Sequence, residues 1–419
     1  MAQAAKKVNW KFYFSFSLTV LTIITVIAIL TGLWVLTAIP VGFLFGFFLQ
    51  KGALCGSSAF SEVLLMKDAQ KVWGLWIAIV TGMGGFAILD LLGWITLNPK
   101  PFTWLSMIVG GVIFGVGIVL AGGCVSGSLF KAGIGHINSI VALLSIALGI
   151  AAVEAGPLAA MNKWMNGHVL SASNGGSITL SSLTGLPFWL LALIIIILTL
   201  IAGILFRRKK SDVNGASVGD KADFSRMLTN RRWRPWQAGL AIGILGSFAY
   251  LSSAASGRNY PLGVTHGVYH TQILITDHPV HHVYRPPTPK PMTQESDKTN
   301  SHQTSQKKPV LPIPRKKVNW WLIAGIISLV TGSWIAARLS GEAKLYNKSA
   351  DQIIIAIIGG FLVGAGAGFA KGCVVGNIIS GWALMSIGTI VFGITVVIAN
   401  WITTYLYLMG GRLSDLQRK

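Results

Sequence analysis

The chain has 419 residues, of which 53% are hydrophobic and only 11% are charged, and its mean hydropathy is +0.63. This composition excludes a soluble domain, because several apolar stretches reach the length of about 20 residues that crosses a bilayer. The formal net charge of +21 does not indicate nucleic-acid binding, because the basic residues cluster in loops between apolar stretches and no nucleic-acid motif accompanies them.

The first half of the chain predicts three full membrane spans with two re-entrant helical hairpins between them. The spans are Phe12–Leu36, Val72–Leu97 and Ile137–Ala155, and the first is too long for the apolar core of a signal peptide. Each hairpin consists of two apolar arms joined by a glycine-rich tip, one around Cys55 and one around Cys124. Such irregular backbone is tolerated at membrane depth only where protein or water surrounds it.

The second half repeats this order of elements. Its predicted spans are Pro187–Phe206, Val318–Ala337 and Trp382–Met409. Its two hairpin tips lie around Arg258 and around Cys373. The Arg258 tip carries no cysteine.

These elements define the expected domain organisation. Residues 12–155 form a first membrane repeat, residues 156–186 an external loop, and residues 187–409 a second membrane repeat. Within the second repeat, residues 207–235 are a basic cytoplasmic loop. Residues 266–317 are rich in Pro, His and Lys, which predicts a disordered insertion that cannot bury a core.

A doubled motif relates the two halves. The stretch Gly110–Gly127, GGVIFGVGIVLAGGCVSG, recurs at Gly359–Gly376 as GGFLVGAGAGFAKGCVVG, and nine of the 18 aligned positions are identical. The chain therefore consists of two diverged copies of one unit. Because each copy holds an odd number of spans, the second copy enters the membrane inverted, a known design of transporters with broken helices that meet near the midplane.

We expect the fold to be an all-α polytopic membrane protein built from two inverted repeats, whose Gly/Cys tips meet near the midplane. Both termini are predicted to be cytoplasmic, because most of the 34 Lys and Arg residues then lie in cytoplasmic segments. The same reasoning predicts a multi-pass membrane protein.

The tips also supply the candidate site residues. Each of these residues has a thiol, a positive charge, a small side chain or a hydrogen-bonding group. They are Cys55, Cys124, Cys373, Lys51, Lys371, Arg258, Gly56, Gly123, Gly372, Ser57, Ser126 and Asn377. A short helix follows each cysteine, and the free amides at helix N-termini attract anions. A lysine at membrane depth costs about 2.5–3.5 kcal/mol on insertion scales unless it faces a polar path. This pattern indicates an anion pathway.

The cysteines favour sulfur chemistry, because a thiol is a soft and polarizable partner. A small anion with an exposed sulfur, such as thiosulfate, can pass from thiol to thiol. Alternatively, positive neighbours can lower the thiol pKa and permit persulfide chemistry. The residues alone leave both possibilities open.

The motifs Lys51-Gly-Ala-Leu-Cys55, Ala121-Gly-Gly-Cys124-Val-Ser-Gly and Ala370-Lys-Gly-Cys373-Val-Val-Gly resemble those of the YeeE/YedE sulfur-transport family. The resemblance covers nearly the whole chain except residues 266–317. It implies an inner-membrane protein that takes up thiosulfate, with Cys55, Cys124 and Cys373 on the pathway. The chain departs from the family pattern in the long insertion and in the tip around Arg258.

The expected function is thus uptake of thiosulfate or a related sulfur-containing anion across the bilayer, without enzymatic activity. Three alternatives remain open: a membrane sulfurtransferase that forms a cysteine persulfide for a cytosolic TusA-like sulfur-carrier protein, a transporter of a selenium species, and a structural or assembly subunit. The chain contains no Walker A motif for ATP. His278, His281 and His282 lack the ordered spacing of a metal site, so no metal or other cofactor is expected.

Overall fold

The computed structural model describes residues 10–172, 175–211, 233–276, 280–283 and 317–410, and this part of the chain is mostly helical, as predicted. The helices are α1 (Trp10–Thr31), α2 (Ala38–Gly52), α3 (Gly56–Leu65), α4 (Gln70–Leu91), α5 (Trp104–Leu120), α6 (Val125–Ile134), α7 (Ile137–Glu154), α8 (Ala159–Asn166), α9 (Leu180–Thr184), α10 (Phe188–Ser211), α11 (Pro235–Ala255), α12 (Thr265–Thr276), α13 (Trp320–Leu339), α14 (Ala350–Phe369), α15 (Ser380–Ala383) and α16 (Ile387–Thr403). Short 3-10 or π-helical turns lie at Trp34–Thr37, Val374–Ile379 and Thr404–Leu408.

Among the described residues, four very short strands form two pairs that hold loops against each other. Strand β1 (Phe102–Thr103) pairs antiparallel with β2 (Val169–Leu170), so the loop before α5 is held against the loop after α8. Strand β3 (His281–Val283) pairs in parallel with β4 (Lys317–Asn319).

Ten helical stretches among the described residues are long and apolar enough to cross a membrane. They are Phe12–Thr31, Trp34–Leu65, Gln70–Leu91, Trp104–Ile134, Ile137–Glu154, Phe188–Leu205, Pro235–Ala255, Trp320–Leu339, Ala350–Ala383 and Ile387–Leu408. The sequence predicted only six full spans, because the apolar arms beside the four tips were interpreted as re-entrant hairpins. The first and sixth stretches are only 6% and 11% buried, which places α1 and α10 at the periphery.

Three of the ten stretches are interrupted beside a cysteine. The interruptions pass through Ala53 after α2, Gly122 after α5 and Lys371 after α14, with φ angles of 47°, 66° and 51°. Left-handed backbone at the end of a helix terminates it and redirects the chain. For Ala53 and Lys371, which have side chains, this conformation is uncommon and must be stabilised by the surrounding structure.

The glycine-rich helices α5 and α14 pack directly against each other in opposite directions. A methyl group added at Gly110 would touch Ala370, near the end of α14. A methyl group at Gly117 would touch Val363, in the middle of α14. The backbones approach this closely because small residues occupy the interface, as is typical of helix packing in membranes.

Two further helix pairs share a second type of close contact. A methyl group at Gly42 in α2 would overlap the Gly325 carbonyl of α13, and one at Gly239 in α11 would overlap the Gly74 carbonyl of α4. Gly42 and Gly239 are the first glycines of the Gly-x-x-x-Gly sequences in the two halves. Equivalent residues of the two halves therefore make equivalent contacts.

The arms on either side of Cys124 continue one another across the molecule. Helix α5 ends where Ala121 touches Gly359, halfway along α14, and α6 leads on to His136, which forms a β-bridge with Tyr346 just before α14 begins. The two arms therefore do not fold back on each other, in contrast with the hairpin predicted there. Cys124 lies at about half the depth of α14.

The segment predicted to be disordered from residue 266 begins with an ordered helix, α12, so this prediction is wrong for residues 266–276. Its apolar residues Val268 and Ile273 are buried, and Ile273 packs against Val318 of β4. The Pro, His and Lys content of the whole segment obscured these few apolar residues. The remainder of the predicted insertion is outside the described residues, except for β3, its neighbour Val280 and Lys317 of β4. The termini and most of the basic loop 207–235 are also outside the described residues.

Candidate functional site

Each of the three cysteines occupies the position just before a short helical segment. Cys55, Cys124 and Cys373 have extended backbone conformations, and their carbonyl groups accept the first helical hydrogen bonds from Ala59, Ser128 and Asn377, each at 2.8 Å. No side chain caps these three N-termini. The first amide groups of each segment therefore remain available to stabilise negative charge.

The thiols of Cys55 and Cys124 lie side by side in the core. Their sulfur atoms are 4.0 Å apart, and both residues are reduced and buried. The Cys124 sulfur also lies 3.3 Å from the Ser126 hydroxyl. A methyl group at Gly127 would overlap the Cys55 sulfur, so this glycine makes the approach of the two tips possible.

The Cys373 tip joins the same cluster. A methyl group at Gly56 would overlap the side chain of Val374, the residue after Cys373, and all three cysteines belong to one buried core cluster. The structure thus brings together the Cys55 and Cys124 thiols, and the Cys55 tip contacts the Cys373 tip through Gly56 and Val374.

The turn before Cys373 is fixed by a polar network. The Asn377 side-chain amide donates to the Ala370 and Gly372 carbonyls, each at 3.1 Å. Its oxygen accepts a hydrogen bond of 2.7 Å from the Lys100 ammonium group, which also donates to the Lys371 carbonyl at 2.6 Å. Asn377 therefore explains how a lysine at position 371 is held in left-handed backbone.

The cysteine-free tip around Arg258 is attached to this turn. The Arg258 guanidinium donates to the Pro261 carbonyl at 2.7 Å and lies 5.1 Å from the Trp321 ring centre. The Tyr260 hydroxyl donates to the Gly376 carbonyl at 2.6 Å. The Arg258 tip therefore places a positive charge next to the Cys373 tip.

A cavity of about 290 Å³ opens beside Cys373, and its wall includes residues on both sides of that cysteine. It is lined by Lys100, Pro101, Thr103, Met107, Arg258, Tyr260, Gly263, Thr265, His266, Leu322, Lys371, Gly372 and Gly376. We call this space the basic cavity, because four of its side chains carry or can acquire positive charge. It is large enough for a small anion and several water molecules.

None of the described residues that line the basic cavity is acidic, so its positive charges are not balanced there. Burial lowers the pKa of Lys100 to about 7 and that of Arg258 to about 10. An anion in the cavity would favour the charged forms of both groups and would itself be stabilised by them. The cavity is therefore electrostatically suited to negative ligands.

Two buried hydroxyl groups near the thiols and the basic cavity have no hydrogen-bond partner among the described residues. The Thr265 oxygen lies in the wall of the basic cavity, and the Ser128 oxygen lies one helical turn beyond Cys124. Thr265 is 3% exposed and Ser128 is 1% exposed. Buried polar groups normally find a partner, so both are candidates for contact with a bound ligand or water.

The remaining predicted residues take different positions. Ser57 donates to the Ile118 carbonyl at 2.7 Å beside the paired thiols, and Gly123 faces Ser128. Lys51 is fully buried, but its ammonium group donates to the Ser340 hydroxyl at 2.5 Å, at the far end of α13, and does not line the basic cavity.

The sequence analysis did not identify two titratable residues of the basic cavity, Lys100 and His266. Lys100 lies in a short loop 277 positions from its partner Asn377, and no local motif marks it. His266 was assigned to the insertion. The adjoining stretch Gly263-Val-Thr265 continues the Arg258 tip, and this continuity could have indicated that His266 belongs to the tip and not to the insertion.

A larger cavity of about 1600 Å³ lies between α4, α10 and α11. Apolar side chains form most of its wall, and none of the three cysteines contributes to it. It therefore does not belong to the candidate site.

A bundle of helices long enough to cross a membrane, broken in its core around buried thiols and next to a basic cavity, is characteristic of a membrane transport protein. A sequence model of the family described as Sulphur transport matches residues 51–402, and the chain belongs to this family. The resemblance inferred from the cysteine motifs is thereby confirmed.

Two similar proteins are both described as "Thiosulfate transporter TsuA". The protein from Escherichia coli (strain K12) is 27% identical over 375 residues, covering 88% of this chain and 94% of its own length. The protein from Spirochaeta thermophila is 27% identical over 382 residues, covering 88% of this chain and 98% of its own length. A "Probable transporter YedE" from Salmonella typhimurium is 32% identical over 97 residues, which is 22% of this chain and 23% of that protein.

Proposed function

We propose that the protein transports thiosulfate, or a related anion with an exposed sulfur, into the cell along its three cysteines. The observation that carries this proposal is the 4.0 Å approach of the Cys55 and Cys124 sulfurs in the core, next to the tip that carries Cys373. The relatives described as thiosulfate transporters cover 88% of the chain and support this substrate.

The basic cavity is the proposed entrance. Lys100, Arg258 and Lys371 attract the oxygen atoms of the anion, and the amide groups after Cys373 receive it next. The anion then passes from Cys373 to Cys55 and Cys124, where the serine hydroxyls contribute hydrogen bonds. Lys51, beyond these thiols at the far end of α13, is the proposed attraction toward the exit.

Thiols suit this path because they bind sulfur without holding oxyanions too strongly. A thiol is a weak donor and a polarizable contact for a terminal sulfur atom. Sulfate presents only oxygen atoms, so the cysteine segment of the path favours thiosulfate over sulfate. The selectivity arises at the cysteines, whereas the basic cavity selects for negative charge alone.

We also propose that the two halves are inverted repeats in which every long stretch crosses the membrane, so that each half has five crossings. The matched contacts of Gly42 with Gly325 and of Gly239 with Gly74 support an approximate two-fold relationship. The antiparallel packing of α5 and α14 supports inversion. In this arrangement the cysteine tips are breaks within crossing helices, and Cys55 and Cys124 lie near the midplane.

With ten crossings, both termini lie on the same side, which we propose is the cytoplasm of a cell with this protein in its inner membrane. The short connections around Lys67, Lys131 and Lys348 and the basic loop 207–235 then share that side, in agreement with the positive-inside rule. The basic cavity opens on the opposite face. Cysteines introduced at Lys163 and Lys348 test this: an impermeant maleimide should label only the first in intact cells.

Uptake measurements test the function. Sealed vesicles containing the wild-type protein should accumulate radiolabelled thiosulfate. Cys124→Ala should lower the rate of uptake by about ten- to hundredfold, because the substitution removes a hydrogen bond to the anion, and such a bond contributes about 1.5–3 kcal/mol. Val112→Ala, on the exposed side of α5, is the matched control and should leave the rate unchanged. Wild-type uptake by a well-expressed Cys124→Ala protein would contradict the proposed path.

The same vesicles separate the remaining alternatives. A sulfurtransferase that serves a TusA-like carrier would leave a cysteine persulfide, visible by mass spectrometry as an added sulfur, and would deliver no intact thiosulfate to the lumen. A selenium transporter would be inhibited more strongly by selenium oxyanions than by unlabelled thiosulfate. We expect intact thiosulfate inside, unmodified cysteines and stronger inhibition by thiosulfate.

A further inference from the structure

A glutamate and a histidine lie next to each other at the edge of the basic cavity. Lysine and arginine could bind an anion there without this pair. The His266 Nε2 atom lies 3.9 Å from the Glu154 Oε1 atom. His266 comes from α12 and lines the basic cavity, whereas Glu154 is the last residue of α7. Both side chains are half-buried.

His266 is surrounded mainly by positive charge. Lys100, Arg258 and Lys371 share the cavity wall with it, and the His270 ring on the same helix lies 6.4 Å from its own ring. Glu154 is the acid that faces it. Burial first, and then the cations led by Lys100, lowers the pKa of His266, so the imidazole of the empty cavity is neutral at pH 7.

A doubly negative ligand would reverse this balance. It brings two negative charges next to the imidazole, and a negative charge within about 4–6 Å favours the protonated form of histidine. Protonated His266 would then bridge the bound anion and the Glu154 carboxylate. Lys100 is already committed to the Lys371 and Asn377 oxygens, whereas Glu154 is placed to hold the added charge of His266.

We propose that a dianion entering the basic cavity takes up one proton on His266, held beside Glu154, so that anion binding and protonation are coupled. The proton comes from solvent at the cavity mouth and adds to a ring nitrogen, with no bond made or broken in the anion. This inference rests on the proposed function, since thiosulfate is the dianion considered. It makes the proton the coupling ion for entry.

Calorimetry on the full-length protein in detergent tests the coupling. Sodium thiosulfate is titrated at several pH values between 6 and 8, each in two buffers of different ionisation enthalpy, so that the difference in heat counts the protons taken up. We expect uptake approaching one proton, and an affinity that rises as pH falls, by up to about tenfold per pH unit where one proton is coupled.

Variants assign the proton to its residue. His266→Gln should take up fewer protons than the wild type when it binds thiosulfate and should show a weaker pH dependence, and the uptake that remains is assigned to Lys100, whose pKa burial lowers to about 7. His266→Arg should bind tightly at pH 8 because its charge is permanent. Glu154→Gln should reduce proton uptake. His168→Gln, a histidine outside the cavity, is the control and should behave as the wild type.

Two results would overturn the inference while leaving the proposed function intact: thiosulfate binding by the wild type without proton uptake at any pH, or unchanged proton uptake in a folded His266→Gln protein. The second result would identify Lys100 or another group as the acceptor. By contrast, failure of the wild type to bind thiosulfate at all, in a protein that remains folded, would contradict the proposed function itself.

Discussion

The Lys100 ammonium group donates a hydrogen bond of 2.7 Å to the Asn377 Oδ1 atom, and it thereby joins the loop before α5 to the turn around Cys373. The Asn377 amide in turn holds the carbonyls of Ala370 and Gly372. One cation thus both supplies charge to the basic cavity and shapes its inner wall. Because the Lys100 side chain both positions the turn around Cys373 and attracts the anion, we expect its substitution to have a large effect on transport.

We expect Lys100→Met to lower thiosulfate uptake by about tenfold or more, because it removes a charged hydrogen bond worth about 1.5–3 kcal/mol and leaves the Asn377 oxygen without that donor. The apparent KM should rise more than the maximal rate falls. Lys163→Met changes an exposed lysine on the same side of the protein and serves as the control. Equal kinetics for the two variants would show that Lys100 has no role in substrate attraction.

Gly127→Ala should abolish uptake and lower the thermal stability, because its methyl group would overlap the Cys55 sulfur and force the two thiols apart. The expected loss of stability is about 1–3 kcal/mol, as for an overpacked core. Gly325→Ala has open space around the added carbon and should leave uptake unchanged. Normal uptake and stability of Gly127→Ala, measured by vesicle assay and thermal unfolding, would contradict the close contact of the tips.

The two neighbouring thiols should form a disulfide under mild oxidation. Their sulfur atoms are 4.0 Å apart, and side-chain rotation can bring them to the bonding distance of about 2.0 Å. Copper phenanthroline treatment should therefore block uptake in a way that a reducing agent reverses. Peptide mass spectrometry should find the Cys55–Cys124 link in the wild type and in Cys373→Ala, and inhibition should be absent from Cys55→Ala if that variant retains residual uptake. A link involving Cys373 instead would require a different arrangement.

Ser128→Ala separates binding from stability. The buried Ser128 hydroxyl has no partner in the structure, and an unsatisfied buried group costs about 1–3 kcal/mol. We expect the variant to unfold at an equal or higher temperature but to transport more slowly, since the hydroxyl serves the passing anion. Ser139→Ala, in α7, controls for loss of a serine from a membrane helix. A Ser128→Ala protein that is both less stable and fully active would show that the hydroxyl is structural.

The sequence was sufficient to predict the cysteine tips but not the complete cavity. The doubled Gly-Cys-Val motif identifies Cys124 and Cys373 because glycine and cysteine are constrained locally, by helix ends and close backbone approach. Lys100 has no such local signature, since its role depends on a contact with residues in the other half of the chain. Pairing across halves requires knowledge of how the helices pack.

Lys51 and the arms beside Cys124 show what proximity along the sequence leaves undetermined. Lys51 is four residues from Cys55, yet the C-terminal end of α2 carries its ammonium group to Ser340, away from the basic cavity. Likewise, the arms beside Cys124 were predicted to form a hairpin, but α6 continues toward His136 instead of returning. The direction of the chain after a helix break depends on tertiary contacts that apolar length does not encode.

The parallel pairing of β3 with β4 has a practical consequence for engineering. It holds Val283 and Lys317, the two ends of a long connection, close to each other, independently of what lies between them. The free energy of closing a loop changes only slowly with its length. Parallel strands need a connection of about a dozen residues or more. Shortening residues 284–316 to about that length, or inserting a fluorescent reporter there, should therefore leave the helices and their thiols undisturbed, which makes this junction a convenient site for labelling.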